Sequence, residues 1–141
     1  MSGFPKSEHL CGQQRIASLY KEGRHFVAYP LRVTWREFRS KTNVGVQNGE
    51  VRTEAAVQVL VWAPKALFKH AVDRNRMRRL MREAYRLEKE PLTGFCIEQG
   101  IYVEIAFNYL DKEKRSLDEL RKAMRKAIEK IQRDTEQNDK G

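Results

Sequence analysis

Lys69-His70-Ala71-Val72-Asp73-Arg74-Asn75-Arg76-Met77-Arg78-Arg79-Leu80-Met81-Arg82-Glu83-Ala84-Tyr85-Arg86-Leu87 is the stretch on which the reading of this chain turns. Stepped at about 100° per residue from Arg74, it places Met77, Leu80, Met81, Ala84 and Leu87 in an arc from roughly 220° to 340°. That stripe predicts a helix over residues 73–89, packed on a core and capped by Asp73. Arg74, Arg78, Arg79, Arg82 and Arg86 fall between roughly 0° and 140°, with Asn75 among them and Arg76 near 200° at the edge of the stripe.

Such a face opposes its own helix. Arg74/Arg78, Arg78/Arg82 and Arg82/Arg86 are like-charge i,i+4 pairs, each unfavourable by about 0.2–0.5 kcal/mol. Arg74 and Arg76 also stand in the first turn, where the helix dipole disfavours cations. Asp73, and Glu83 four residues after Arg79, offset only part of this. Residues 65–89 hold nine basic side chains against three acidic ones, which is +6 of the chain's formal +9. A helix needing only solubility would interleave glutamates. A polyanion that neutralises the guanidinium groups is the better account. Arginine outnumbers lysine here, and its planar fork suits bidentate phosphate contacts and stacking on bases.

The chain around this helix has 141 residues, room for one domain, and is 40% hydrophobic, enough for a thin core. It contains no apolar run of about 18 residues that could cross a membrane as a helix. Residues 1–10 lack the apolar segment of a secretory signal, so the expected location is the cytoplasm. Cys11 and Cys96 lie far apart without a metal-binding spacing, and His9, His25 and His70 form no zinc pattern or nucleophile dyad. No metal ligands and no catalytic residue on the protein are expected.

Upstream, Ile16, Leu19 and Tyr20 at i, i+3 and i+4 predict a helix over residues 13–22, with Gly23 as its C′ residue. Residues 24–29 read as a short or edge strand, separated by Pro30 from an alternating strand over residues 31–38. In that second strand Leu31, Val33 and Trp35 share one face and Arg32, Thr34 and Arg36 the other. Residues 39–53 read as a polar loop with a small hairpin at Asn48-Gly49. The near-continuous Val57, Val59, Leu60 and Val61 predict a central strand over residues 54–62, ended by Pro64. Alternation favours core packing for both Trp35 and Trp62.

Downstream, residues 101–108 predict a further strong strand and residues 116–133 a long helix, opened by a Ser116/Glu119 capping box. Leu117, Leu120, Met124, Ala127, Ile128 and Ile131 form its apolar stripe. Its basic side chains interleave with Asp118, Glu119 and Glu129, which reads as a solvated face. Residues 1–133 are expected to form a single RNA-binding domain and residues 134–141 a disordered tail. The mixed element order gives an α+β class, with helices mainly on one face of the sheet.

The run from Arg74 to Glu83 closely resembles the Arg-Asn-Arg signature of the bacterial ribonuclease P protein component. Ala71-Val72 before it, and the Pro64-Lys65 approach from a strand, are similar to that family too. The resemblance implies a four-stranded mixed sheet with about three helices, a left-handed βαβ crossover and likeness to a ribosomal-protein domain. It implies an accessory subunit of an endoribonuclease whose RNA removes the 5′ leader from precursor tRNA with Mg²⁺, the protein alone being inactive and carrying no cofactor. The implied partners are the ribonuclease P RNA and precursor tRNA, with no membrane and no obligate protein partner. On this resemblance, Arg74, Asn75, Arg76, Arg78, Arg79 and Arg82 contact the catalytic RNA, and Lys65 and Lys69 join them by position. The leader would lie in a cleft walled by the first helix and one sheet face. Tyr20 matches an aromatic position of that cleft. Ile16 stands where the family usually has Phe, after Arg15 where the family has an acidic residue. Arg32, Thr34 and Arg36 complete the cleft candidates.

Two other readings of the basic helix stay open. One is a ribosomal or other structural RNA-binding protein with no role in cleavage. The other, a helix placed in a DNA major groove, is weakened by the flanking strands and the lack of a preceding helix-turn-helix partner.

Overall fold

Alternating side chains and two long amphipathic helices assemble into an α+β sandwich. The computed structural model describes residues 9, 10, 12–39, 46, 47, 50, 51 and 56–140. In chain order the elements are α1 (Gln13–Glu22), β1 (Arg24–Ala28), β2 (Leu31–Arg39), β3 (Val46–Gln47), β4 (Glu50–Val51), β5 (Val57–Trp62), α2 (Ala71–Glu88), α3 (Glu90–Gln99), β6 (Ile101–Tyr109) and α4 (Leu117–Lys140). The main sheet runs β1-β2-β6-β5, antiparallel except for the β5/β6 pair, and β3 and β4 form the expected small hairpin. Its turn at residues 48 and 49 lies outside the described residues.

β6, rather than β5, is the buried central strand beside β2. β5 is an edge strand whose apolar run misleads because both its faces are covered. Val57, Val59 and Val61 face the helices, and the segment before α1 shields its edge, where Leu10 N donates to Val59 O at 3.0 Å. Parallel β5 and β6 are joined through α2 and α3, a βαβ crossover.

The main core lies between one sheet face and α2, α3 and α4. Val33, Trp35, Ile105 and Phe107 meet Met77, Met81, Tyr85, Leu120, Met124 and Ile131 there. Of the described helices, α1 covers the other face, over a small cluster of Leu10, Leu19 and Ala106 with Ile16 and Leu60 at its margin. Among the described residues there are four helices, where about three were expected. α3 has no apolar periodicity, and buries only Leu92 and Cys96 at i, i+4. Pro91 suits its first turn, and Gly100 ends it at φ 67°, where a left-handed residue is needed.

α4 opens with the expected capping box: Glu119 N donates to Ser116 Oγ at 3.2 Å and Ser116 N donates to Glu119 Oε1 at 3.1 Å. It extends beyond the expected end at Arg133. The helix runs to Lys140, with Thr135 buried and its hydroxyl donating to Ile131 O at 2.8 Å. Residues 134–140 are polar but contain neither Gly nor Pro, so nothing in them breaks the helix.

Candidate nucleic-acid interface

α2 begins before Asp73. His70 is its N-cap, with extended backbone, and Asp73 sits in the first turn. Lys114 Nζ lies 2.8 Å from the Asp73 carboxylate, and this hydrogen bond outweighs burial to hold the carboxyl below its ordinary range. The buried stripe of α2 is Met77, Met81, Ala84 and Tyr85, while Leu80 is half-buried and Leu87 exposed. It is therefore turned from the expected arc toward Arg74. Arg74, Arg78, Arg82 and Arg86 become a half-buried flank, and Asn75, Arg76 and Arg79 stand on the fully exposed side. Burial, then the neighbouring Arg78 charge, pulls the Arg82 guanidinium below its ordinary value, as crowded cations should.

Arg74 and Arg78 of this flank are held without carboxylates. Arg74 Nη1 donates to the carbonyls of Phe68 at 2.9 Å and Lys69 at 3.0 Å. Arg78 donates to Asn75 Oδ1 and lies over the Trp62 ring, 5.6 Å from its centroid. Only Arg86 meets an acid on its own helix, donating from Nε to Glu83 at 3.1 Å, so Glu83 serves Arg86 rather than Arg79. Among the described residues the exposed side chains of Arg76, Arg79, Lys65 and Lys69 make no side-chain hydrogen bond or ion pair, and Arg76 and Arg79 edge a shallow hollow with Val72, Asn75 and Leu80. Free forks on a rigid helix suit bidentate contact with phosphate oxygens.

On the α1 face the strand registers set side chains in rows across the sheet. The first row is Arg36–Glu104–Gln58. Glu104 is buried, accepting from Arg36 Nε at 2.8 Å and from Arg15 Nε at 3.1 Å, while Arg15 also donates to Gln58. Arg36 Nη1 turns to Ser18 at 2.7 Å and Glu22 at 3.1 Å. The second row is His25–Thr34–Ala106–Leu60, and α1 lies on it. Thr34 is fully buried, 3.0 Å from His25 Nδ1. The third row, Val27–Arg32–Asn108–Trp62, is open. There Asn108 Nδ2 donates to the Tyr20 hydroxyl at 2.8 Å, and Tyr20, His25, Arg32, Pro64, Asn108, Tyr109 and Leu110 line a cleft of about 450 Å³.

The five cleft candidates therefore part company. Tyr20 and Arg32 line the cleft together. Thr34 is fully buried against His25, Arg36 is held by the protein's own carboxylates, and Ile16 packs at the margin of the small cluster under α1. Strand alternation gives the face correctly, but it carries no sign that a helix covers the first two rows.

Gly23 is needed for space rather than for a left-handed turn. Its φ is −74°, and an added Cβ would lie 2.6 Å from Leu19 O and 2.9 Å from Trp35 O. Trp35 is in the core as expected, but Trp62 is not, being 48% exposed. The signal was in the phase: Trp62 is out of step with Val57, Val59 and Val61, which puts it on the opposite face.

A family model described as Ribonuclease P matches residues 4–132. The ribonuclease P protein component of Porphyromonas gingivalis is 37% identical over 129 residues, spanning 92% of this chain and 86% of its own. That of Chlorobium phaeobacteroides is 37% identical over 119 residues, spanning 81% and 76%. In fold the chain is similar to the RNase P protein of Staphylococcus aureus, with a TM-score of 0.61 at 14% identity, over 89% of this chain and 95% of that one.

Proposed function

The chain belongs to the ribonuclease P protein family, and from that premise we propose that it is the accessory subunit of a ribonuclease P holoenzyme, promoting removal of the 5′ leader from precursor tRNA. The observation that carries the reading is the pair Arg76 and Arg79, exposed beside Asn75 and, among the described residues, held by no side-chain hydrogen bond or ion pair. In this reading α2, with Lys65 and Lys69, binds the ribonuclease P RNA. The cleft of Tyr20, Arg32 and Asn108 takes the single-stranded leader.

Catalysis is assigned to the RNA, with the protein inactive alone. Magnesium is assigned to the RNA as well. No described helix is long and apolar enough to cross a membrane. The proposed place of action is the cytoplasm, with no obligate protein partner.

Reconstitution tests this. The protein is mixed with the ribonuclease P RNA of its own organism at low Mg²⁺, and cleavage of precursor tRNA is timed with and without a leader of several nucleotides. Faster cleavage with protein, larger for the substrate that carries a leader, is expected. RNA binding without any acceleration would leave a structural RNA-binding role instead.

A further inference from the structure

Trp62 ends the open row of the sheet and Arg78 belongs to the arginine flank of α2, and their contact joins the two surfaces. Trp62 ends β5, the edge strand, on the sheet face that α1 covers. Its neighbour in register is Asn108, which lines the cleft and binds Tyr20. Because β5 is at the edge, the ring can also be reached from the helix layer, and there Arg78 of α2 lies 5.6 Å from the ring centroid. Pro64, two residues on, lines the cleft as well. The result is a half-exposed indole with a guanidinium on one side, level with Arg32 and Asn108, where the open row meets the arginine face of α2.

A large aromatic ring left half in water at the end of a strand gains little for the fold. The pairing with Arg78 at so exposed a site adds little to that. Its chemistry suits an unpaired base: a flat π-surface accepts any base, and a guanidinium beside it can hold the adjoining phosphate. A paired duplex offers no free base face, which selects single-stranded RNA. The row from Val27 to Trp62 spans the four strands, so a strand lying along it runs from the cleft toward α2.

We infer that Trp62, backed by Arg78, is a stacking platform for one unpaired nucleotide of the precursor's leader, at the end of the cleft nearest the arginine helix. This rests on the function proposed above.

The chain has only two tryptophans, and Trp35 is buried, so an RNA-dependent change in emission reports on Trp62. Titration of the full-length protein with a single-stranded uridine pentamer is expected to quench emission in the wild type and not in Trp62→Phe. In the reconstituted holoenzyme, Trp62→Ala is expected to weaken binding of leader-bearing precursor tRNA about tenfold, with mature tRNA unchanged, and Trp62→Phe to stay within about threefold of wild type. Absence of quenching, with Trp62→Ala binding leader-bearing substrate as wild type does, overturns the platform while the accessory role stands if cleavage is still accelerated. Equal weakening for leader-bearing and mature tRNA also overturns it, by moving the contact off the leader. Failure of the wild-type protein to accelerate cleavage overturns the proposed function, and the platform falls with it.

Discussion

Arg36 and Glu104 face each other across the β2/β6 pair, with Arg36 Nε donating to Glu104 Oε1 at 2.8 Å beneath α1. The same carboxylate takes Arg15 of α1, 89 residues away in sequence, through Nε at 3.1 Å and Nη2 at 2.6 Å. One buried acid thus ties the first helix to the sheet, and α1 has little else below it but Leu19 and the small cluster around it. Glu104→Ala would strand two guanidinium groups. Both arginines keep partial access to water, so the expected loss is about 2–3 kcal/mol rather than that of a fully buried pair. The urea midpoint measures it, and a change below about 0.5 kcal/mol, typical of an ordinary surface site, would show that the triad does not hold α1.

The triad also shows where sequence reading stops. Period-2 alternation put Arg32, Thr34 and Arg36 on one face, and the 3.6-residue period bounded α1 at residues 13–22 as found. Both patterns are local. Which element covers a face is decided by chain segments tens of residues apart, so Arg15 meeting Glu104 leaves no local trace. The same limit made β5 read as central, since an apolar run records burial on two faces and not which element covers them. α3 was hidden differently: its buried face is only Leu92 and Cys96, and Pro91 and Gly94 are the poorest of helix formers. The Arg-Asn-Arg helix was legible because its charge is local, although the stripe's rotation toward Tyr85 was not.

Arg74 and the pair Arg76 and Arg79 should separate fold from binding. Arg74 donates to two backbone carbonyls before the helix, so Arg74→Ala is expected to lower stability by about 1–2 kcal/mol as well as weaken RNA binding. Arg76→Ala and Arg79→Ala are expected to melt like wild type. Each should reduce the slope of log affinity against log salt for the ribonuclease P RNA by about 0.7–0.9, the release of counterions at one phosphate. Thermal melts and salt-dependent binding of the three variants check this. An unchanged slope in both outer variants would remove phosphate contact from their role.

Acid should loosen the join between α2 and α4. Glu88, at the end of α2, accepts from Arg125 Nε at 3.0 Å and Arg121 Nε at 2.7 Å. The Arg125 hydrogen bond leads in holding its carboxyl below the ordinary 4.5, against the opposing effect of burial. A carboxyl whose value is lowered by folding stabilises fully above its unfolded value, and that contribution is lost as pH falls through the folded one. Glu88→Gln is therefore expected to be less stable than wild type at pH 7, by about 1 kcal/mol for so exposed a pair of arginines. Below pH 4.5 the two stability curves should converge. Parallel curves from pH 7 to pH 3 would mean that Glu88 is not a source of the acid dependence.

Tyr20 offers the sharpest test of the cleft, because its ring and its hydroxyl can be removed one at a time. The ring is about one-third exposed over the open row, and the hydroxyl accepts from Asn108 Nδ2 at 2.8 Å. Tyr20→Phe removes the bond at a half-open site and leaves the ring, whereas Tyr20→Ala removes both. If stacking on a leader base is what Tyr20 does, the alanine variant should weaken leader-bearing precursor tRNA about tenfold and the phenylalanine variant by less than about threefold. Mature tRNA, lacking the leader, should bind both as it binds the wild type. Should Phe weaken binding as much as Ala, the hydroxyl and its link to Asn108 would be the working part. The cleft would then recognise its ligand by a fixed hydrogen-bonding edge. Equilibrium binding of the two substrates to holoenzymes built with each variant distinguishes these, and the same series in a Trp62→Ala background reports whether the two rings act on one nucleotide or on two. Independent sites would give multiplied losses, and a shared base would give a double variant little worse than either single one.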